Sequence, residues 1–337
     1  MKRIYDNISI ISKLNLKRAW NIILVQSSYY LSQVFRKPVA WGKPFSISLE
    51  PTTSCNLRCP ECPSGLRKFS RNTGTLSFDL YQKIIGQLGD YLVYMILYFQ
   101  GEPYMNPSFF DIVKDAGRRK IYTATSTNAH FLSDENARKT VESGLNRLII
   151  SLDGIGQDEY SSYRVGGRYE RVIDGIKNMV KWKKELKSRT PHIILQFIVF
   201  RTNEHQLDRV RELAHDLEVD ELQFKTAQFY NYEKGNRLMT TIDKYSRYRQ
   251  LKDGTWEIKN DFKNKCYRMS VSCVITWDGL VVPCCFDKDA EHQMGDLKID
   301  SFDKVWSSEP YRKFRSQILS GRKSIDICRN CTEGMKI

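Results

Sequence analysis

The 337-residue sequence predicts an α/β protein: a partial (β/α)6 barrel followed by a small β-hairpin-plus-helix domain. Three observations lead there. Six short apolar runs alternate with amphipathic stretches from Pro44 to about residue 230, a rhythm that predicts a parallel sheet with helices outside. Three cysteines crowd into the loop after the first run, and six more surround a hairpin signal near the C-terminus. With 41% hydrophobic residues, the chain can bury one barrel-sized core and a smaller appended unit, which excludes a disordered or fibrous protein.

The first element is an arm, residues 1–43. Eight basic side chains there face the single acid Asp6, so half of the formal net charge of +14 is N-terminal. Leu16, Trp20, Ile23, Tyr30 and Val34 fall near helical spacing, flanked by Lys13, Lys17, Arg18, Arg36 and Lys37. The simplest expectation packs this apolar face against the main domain. The same pattern suits peripheral contact with an anionic membrane or an acidic partner. Nucleic acid is not expected, because the basic stripe does not continue. No apolar run approaches the roughly 20 residues of a spanning helix, and the N-terminus lacks the apolar core of a secretory signal. An odd number of cysteines then points to a reducing cytoplasm and thiolate–metal chemistry rather than disulfides.

The core is expected over 44–235. Its strands read as FSISLE (45–50), YMILYFQ (94–100), YTATST (122–127), RLIISLD (147–153), HIILQFIVF (192–200) and ELQFKTAQF (221–229). Helices are expected at Phe78–Leu88, Pro107–Arg119, Ser133–Ser143, Tyr169–Leu186 and Glu204–Leu217, with Ser77 and Ser133 as N-caps. A linker over 236–265 leads to the C-terminal unit, 266–337.

Glu50 ends the first strand, so Cys55, Cys59 and Cys62 lie in the loop after it, on the rim where barrel enzymes keep their chemistry. Zinc takes four ligands, usually as two pairs, and a trio leaves it one short. A cubic iron–sulfur cluster can be held by three thiolates with its fourth iron open to a small molecule. Unrelated buried cysteines are the plain alternative, but these sit beside Pro60, Pro63 and Gly65, in loop chemistry. The second strand ends in Gly101-Glu102-Pro103 and the fourth in Ser151-Leu152-Asp153-Gly154.

Cys55-x3-Cys59-x2-Cys62, followed by these two strand-end motifs, resembles the radical S-adenosylmethionine (SAM) superfamily over roughly residues 44 to 230. The resemblance implies a TIM-like partial barrel in which a [4Fe-4S] cluster on the three cysteines chelates SAM. It further implies reductive cleavage of SAM to a 5′-deoxyadenosyl radical that abstracts a substrate hydrogen atom, and an electron donor such as flavodoxin or ferredoxin. Carried over by motif, Gly101 and Glu102 hold the amino group of SAM, Ser151 its ribose, and Arg164 its carboxylate through a charge-assisted pair. One position departs from the pattern: Glu61 stands before the third cysteine, where the family commonly has an aromatic residue near the adenine. Asp153 and Asn128 also sit at strand ends, where turn roles compete evenly.

In the C-terminal stretch VSCVITWDGLVVPCCF, Asp278-Gly279 reads as a two-residue type I′ turn. That register places Cys273 opposite Cys284 and sets Cys285 on the other face. Cys266-x17-Cys284-x43-Cys328-x2-Cys331 resembles the twitch domain, a shortened SPASM domain, which implies one auxiliary [4Fe-4S] cluster. Cys273 is an alternative ligand, and a zinc site the chemical alternative. In related enzymes an acid just after the matching cysteine serves as a base; here Cys285 takes that position and the displaced Asp287 is the candidate, with a hairpin-end aspartate in solvent as the plain alternative. The expected activity is oxidation of a small or carbohydrate-type molecule. The alternatives are a ribosomal-peptide maturase, whose leader-binding module of about a hundred residues exceeds the 43-residue arm, and a zinc-stapled basic binding protein.

Overall fold

The computed structural model describes residues 2–333, so Met1 of the arm and the last four residues of the predicted C-terminal unit lie outside the described residues. The arm forms α1 (Lys2–Ile11) and α2 (Leu16–Phe35). The core follows as β1 (Ser46–Leu49), α3 (Pro63–Leu66), α4 (Phe78–Leu88), β2 (Tyr94–Ile96), α5 (Phe109–Arg118) and β3 (Tyr122–Thr127). It continues with α6 (Asp134–Glu142), β4 (Arg147–Ser151), α7 (Gln157–Tyr163), α8 (Tyr169–Glu185), β5 (His192–Val199), α9 (Leu207–Asp216) and β6 (Glu221–Thr226). Strands β1 to β6 pair in parallel with their sequence neighbours, forming an open six-unit barrel sheet.

The helices form where the pattern places them. In α4, Tyr81, Ile84, Ile85 and Leu88 recur at the helical period and are buried. Ser77 accepts the Leu80 N–H at 3.2 Å and Ser133 that of Asn136 at 3.3 Å, each a cap of about 1 kcal/mol. The helix expected from Glu204 opens with a 3-10 turn, Glu204–Gln206, before α9. β2 is shorter than the expected 94–100. After Leu97 the chain leaves the sheet and turns inward, and Gly101 N–H donates to Ser64 Oγ at 2.8 Å.

Beyond the barrel lie β7 (Tyr248–Gln250), β8 (Trp256–Ile258), α10 (Arg268–Val271), β9 (Ser272–Ile275), β10 (Leu280–Val282), β11 (Gly295–Asp296), α11 (Phe302–Trp306) and α12 (Glu309–Gly321). The stretch expected as a linker thus carries an antiparallel hairpin of its own, β7–β8. The β9–β10 register differs from the expectation by one residue: Val281 faces Ile275 and Val282 faces Val274. The turn has three residues, Trp277-Asp278-Gly279, closed by Thr276 N–H to Leu280 O at 2.9 Å, with Gly279 in the left-handed region at φ 89°. Thr276 Oγ donates to Asp278 at 2.6 Å, which selects this turn. Cys273 consequently joins the core with Ile275 and Val281 instead of standing opposite Cys284. β9 also pairs in parallel with β1, Ser46 against Ser272 through Leu49 against Ile275, so the C-terminal unit extends the barrel sheet to nine strands.

The arm overturns the expected packing. The side of α2 that faces the domain buries Arg18, Asn21, Val25, Ser28 and Ser32, while Leu16, Trp20, Ile23, Tyr30 and Val34 point outward. The reason lies at two helix ends. The Arg18 guanidinium donates to the carbonyls of Gly89 (3.0 Å), Arg119 (2.8 Å) and Lys120 (2.5 Å), which close α4 and α5, and a cation at these negative dipole ends is favoured. Asp6 of α1 pairs with Arg147 and accepts from Tyr122, the first residues of β4 and β3, so α1 and the start of α2 lie under the N-terminal end of the barrel, while the end of α2 packs on α10.

At the other end, Glu50 is fully buried and takes both terminal nitrogens of Arg71, at 2.6 and 2.8 Å. Arg71→Ala leaves that carboxylate without its partner, and we expect a loss of about 3–5 kcal/mol in urea unfolding. A Glu50→Gln, Arg71→Met double variant should lose markedly less, because no unpaired charge remains.

Candidate active site

The three N-terminal thiols are presented by the loop after β1, which threonines hold in shape. Thr52 Oγ donates to Gly74 O at 3.0 Å, and Gly74 N–H donates to Thr53 Oγ at 2.9 Å. Each thiol faces a different strand end. Cys55 Sγ is 3.9 Å from Asn128 Nδ2 after β3, Cys59 Sγ is 4.0 Å from Arg164 after β4, and Cys62 Sγ is 4.0 Å from Gln100 after β2. Among the described residues no three His, Cys, Asp or Glu side chains are grouped to hold a single metal ion. A cluster asks for something else, because each thiolate binds its own iron. Burial pushes the Cys55 thiol up to about 12 and raises Cys59, with Arg164 opposing at Cys59. Thiols of this kind shed their protons when iron binds.

Gly101 turns beneath this loop at φ 73°, where a Cβ would stand 2.2 Å from Thr52 O, so only glycine fits. Glu102 N–H donates to Ser54 O at 2.8 Å. The Glu102 carboxylate points into the protein, accepting from Thr127 Oγ (2.7 Å) and Asn128 N–H (2.8 Å). Burial pushes it up to about 7 against these hydrogen bonds. Ser151 ends β4, buried opposite Gln196 of β5. Arg164 is engaged before any ligand arrives, since its Nε donates to the fully buried Asp153 at 2.6 Å. Asp153 in turn accepts Ile198 N–H at 2.8 Å, which anchors the arginine to β5.

The C-terminal site gathers Cys266, Cys284, Cys328 and Cys331 around one cavity of about 260 Å³, closed by Phe314 and Ile318 of α12. Burial pushes Cys266 up to about 12 and Cys328 to about 11, and raises Cys284 well above its ordinary value. The buried Arg322 donates to Cys331 Sγ at 3.1 Å, and its Nε has no acceptor among the described residues. Four thiols beside a guanidinium fit a negatively charged iron–sulfur cluster. Cys273 lies elsewhere in the core and Cys285 sits 3.2 Å from Arg268, so neither lines this cavity.

Between the two sets opens a cavity of about 460 Å³. Pro63 and Leu66, just after Cys62, form one wall, and Phe286 and Ile327, which also line the C-terminal thiol cavity, form the other. Asp287 lines it but is not a solvent-facing acid. Its oxygens accept the Glu291 and His292 N–H groups at 2.8 and 2.9 Å, and burial raises its carboxyl. Glu61 lies behind the lining residue Tyr230, accepting its N–H at 3.3 Å and Asn236 Nδ2 at 3.0 Å. Glu61 stood out in the sequence only as a departure from a pattern, and its partners lie about 170 residues away.

A family profile described as the radical SAM superfamily matches residues 49–214, and one described as an iron–sulfur cluster-binding domain, SPASM, matches residues 266–332. The chain belongs to the radical SAM superfamily. It carries a C-terminal SPASM domain, and with that membership come SAM, a [4Fe-4S] cluster and auxiliary iron–sulfur binding. These matches set aside the zinc-stapled binding protein. The tungsten-containing aldehyde ferredoxin oxidoreductase cofactor-modifying protein of Pyrococcus furiosus is 26% identical, across 80% of this chain and 82% of its own length. The PqqA peptide cyclase of Bradyrhizobium diazoefficiens is 28% identical across 60% of this chain, which spans about half (52%) of that relative. The crystal structure of SuiB of Streptococcus suis, bound to S-adenosylmethionine, has the same fold, with a TM-score of 0.64 at 14% identity over 91% of this chain and 75% of that one.

Glu102 generates a pH prediction. An unfolded glutamate ionises near its ordinary value, about 4.3, while the folded one keeps its proton to about 7. Between those values the folded state binds the extra proton, so stability falls as pH rises. We expect the cofactor-free protein to lose about 2–3 kcal/mol from this group between pH 4.5 and 7.5 in urea titrations, and Glu102→Gln to lack that loss.

Proposed function

We propose that this radical SAM enzyme performs a two-electron oxidation of a substrate held in the 460 Å³ cavity between its two thiol sets. The observation that carries the reading is that one cavity is walled by residues adjoining both sets. When bound, SAM and its cluster supply hydrogen-atom abstraction, and an auxiliary cluster supplies an acceptor for the electron left behind. Cys55, Cys59 and Cys62 would hold the first cluster, and Cys266, Cys284, Cys328 and Cys331 the one auxiliary cluster.

The chain's own groups have definite tasks in this scheme. The tight turn at Gly101 and Glu102 would receive the amino group of SAM and Ser151 its ribose. Arg164, aimed by Asp153, would receive its carboxylate as a charge-assisted pair. Asp287, with its carboxyl raised by burial, is the proton acceptor nearest the Cys284 strand end. A flavodoxin or ferredoxin would donate electrons. Five carboxylates and three cations line the cavity with Tyr230 and Tyr232, and its volume suits a compact polar molecule. A peptide is the second reading, favoured by the similarity to a peptide cyclase and by the half-exposed Tyr230 at the mouth.

After anaerobic reconstitution the enzyme should hold about eight irons, roughly four per cluster. Replacing Cys55, Cys59 and Cys62 by alanine should remove about half of that iron and all reductant-dependent 5′-deoxyadenosine. Replacing Cys284 and Cys331 should preserve SAM cleavage and abolish oxidised product. Normal product from that folded variant would make the second cluster structural. Size-fractionated cell extract distinguishes the substrates: stimulation of 5′-deoxyadenosine by the small-molecule fraction supports the first reading, and stimulation by the peptide fraction the second.

A further inference from the structure

The outward face of the arm is an unusual surface for a protein that otherwise hides its apolar side chains well. Among the described residues, twelve of the nineteen large apolar side chains left exposed belong to residues 1–43, and the other seven are scattered along the rest of the chain. On α2, Leu16, Trp20, Ile23, Tyr30 and Val34 form one ridge, interrupted by Ser27, with Leu16 at 92% and Val34 at 74% exposure. At 3.6 residues per turn this ridge lies directly opposite the buried side that holds Arg18 and Asn21. Ile4, Ile8 and Ile11 of α1 repeat the arrangement on the neighbouring helix. Isolated exposed leucines need no explanation, but a patch of this extent does.

The arm's own exposed charge is of one sign. The arm's only acid, Asp6, is buried and paired with Arg147, whereas Arg3, Arg36 and Lys37 are exposed around the apolar residues, and Lys17 is exposed but pairs with Asp90 at 2.6 Å. A second copy of the chain would bring one basic arm against another and set like charges face to face. An anionic bilayer answers both features, taking the apolar ridge into its interface and the cations onto its headgroups. Trp20, Tyr30 and Trp41 are the amphipathic ring types that favour that depth. No helix among the described residues is long and apolar enough to cross a membrane, so the arm would lie on the surface instead of spanning it.

We propose that α1 and α2 form a docking surface for an anionic lipid bilayer. α1 is fixed to the first residues of β3 and β4, at the opposite end of the barrel from the cysteine loops, while the end of α2 packs on α10 and Tyr267 of the C-terminal unit.

The test uses the full chain and sedimentation with vesicles of phosphatidylcholine alone or with a third of phosphatidylglycerol. Binding to the anionic vesicles should be at least about tenfold tighter than to the neutral ones and should weaken with added salt. Trp20→Glu with Ile23→Glu should reduce it at least about tenfold while leaving the melting temperature and 5′-deoxyadenosine formation unchanged, since both side chains point away from the fold. Arg36→Glu with Lys37→Glu should reduce binding to anionic vesicles and leave the weak neutral binding as it is. Equal binding to both vesicle types, or undiminished binding by the Trp20, Ile23 variant, would overturn the proposal. So would a dimer in light scattering that the same variant dissolves without any vesicle binding, which would give the surface to a second copy.

Discussion

Glu50 closes β1 with a carboxylate that has no access to water, and the site is arranged around it. Its two oxygens take Arg71 in a fork, and one also accepts the Trp277 N–H at 3.2 Å from the hairpin turn. Arg71 reaches further, donating from Nε to Lys288 O at 2.9 Å, just beyond Cys284 and Cys285. One buried ion pair thus joins the strand that launches the first thiol loop, the segment that ends it, the C-terminal turn and the strand end that carries the second thiol set. Phe69 and Phe99 lie 5.0 and 5.7 Å from the guanidinium and keep water from it. A buried pair costs desolvation that hydrophobic substitutes would not, so its value here is positional: it sets the distance between the two thiol sets.

The same geometry divides the molecule by polarity. Loops at the C-terminal ends of the strands carry the thiols, Gly101, Arg164 and the cavity. The N-terminal ends are sealed by Asp6 and Arg18, whose charges meet Arg147 and the carbonyls that close α4 and α5. In chemistry that needs water excluded on one side and substrate admitted on the other, the barrel keeps these tasks at opposite ends.

Local patterning exposed much of this in advance. α4 occupies the span its apolar spacing and Ser77 cap predict, and the four cysteines spaced as 266, 284, 328 and 331 do line one cavity. Three features escaped for physical reasons. Helical periodicity shows that α2 has two faces but not which one is buried, and the decision came from carbonyls at residues 89, 119 and 120. The hairpin register turned on whether Thr276 or Trp277 opposes Leu280, and a hydroxyl contact to Asp278 settles it. Glu61 and Tyr248 act through partners far along the chain. Tyr248 donates to Asn330 at 2.8 Å and accepts from Phe229 N–H at 3.0 Å, tying the 236–265 stretch between barrel and SPASM domain.

The ladder between β1 and β9 joins residues 46–49 to residues 272–275, so the partners are made more than two hundred residues apart. A chain leaving the ribosome at about 5–20 residues per second completes β1 to β6 while the outer edge of β1 still has no neighbour. For those seconds the edge that launches the cysteine loop is an open template for pairing with another nascent chain. Such long-range closure is also slow. The thiol loop therefore acquires its final support only at the end of synthesis, and iron delivered before then meets a half-built cradle.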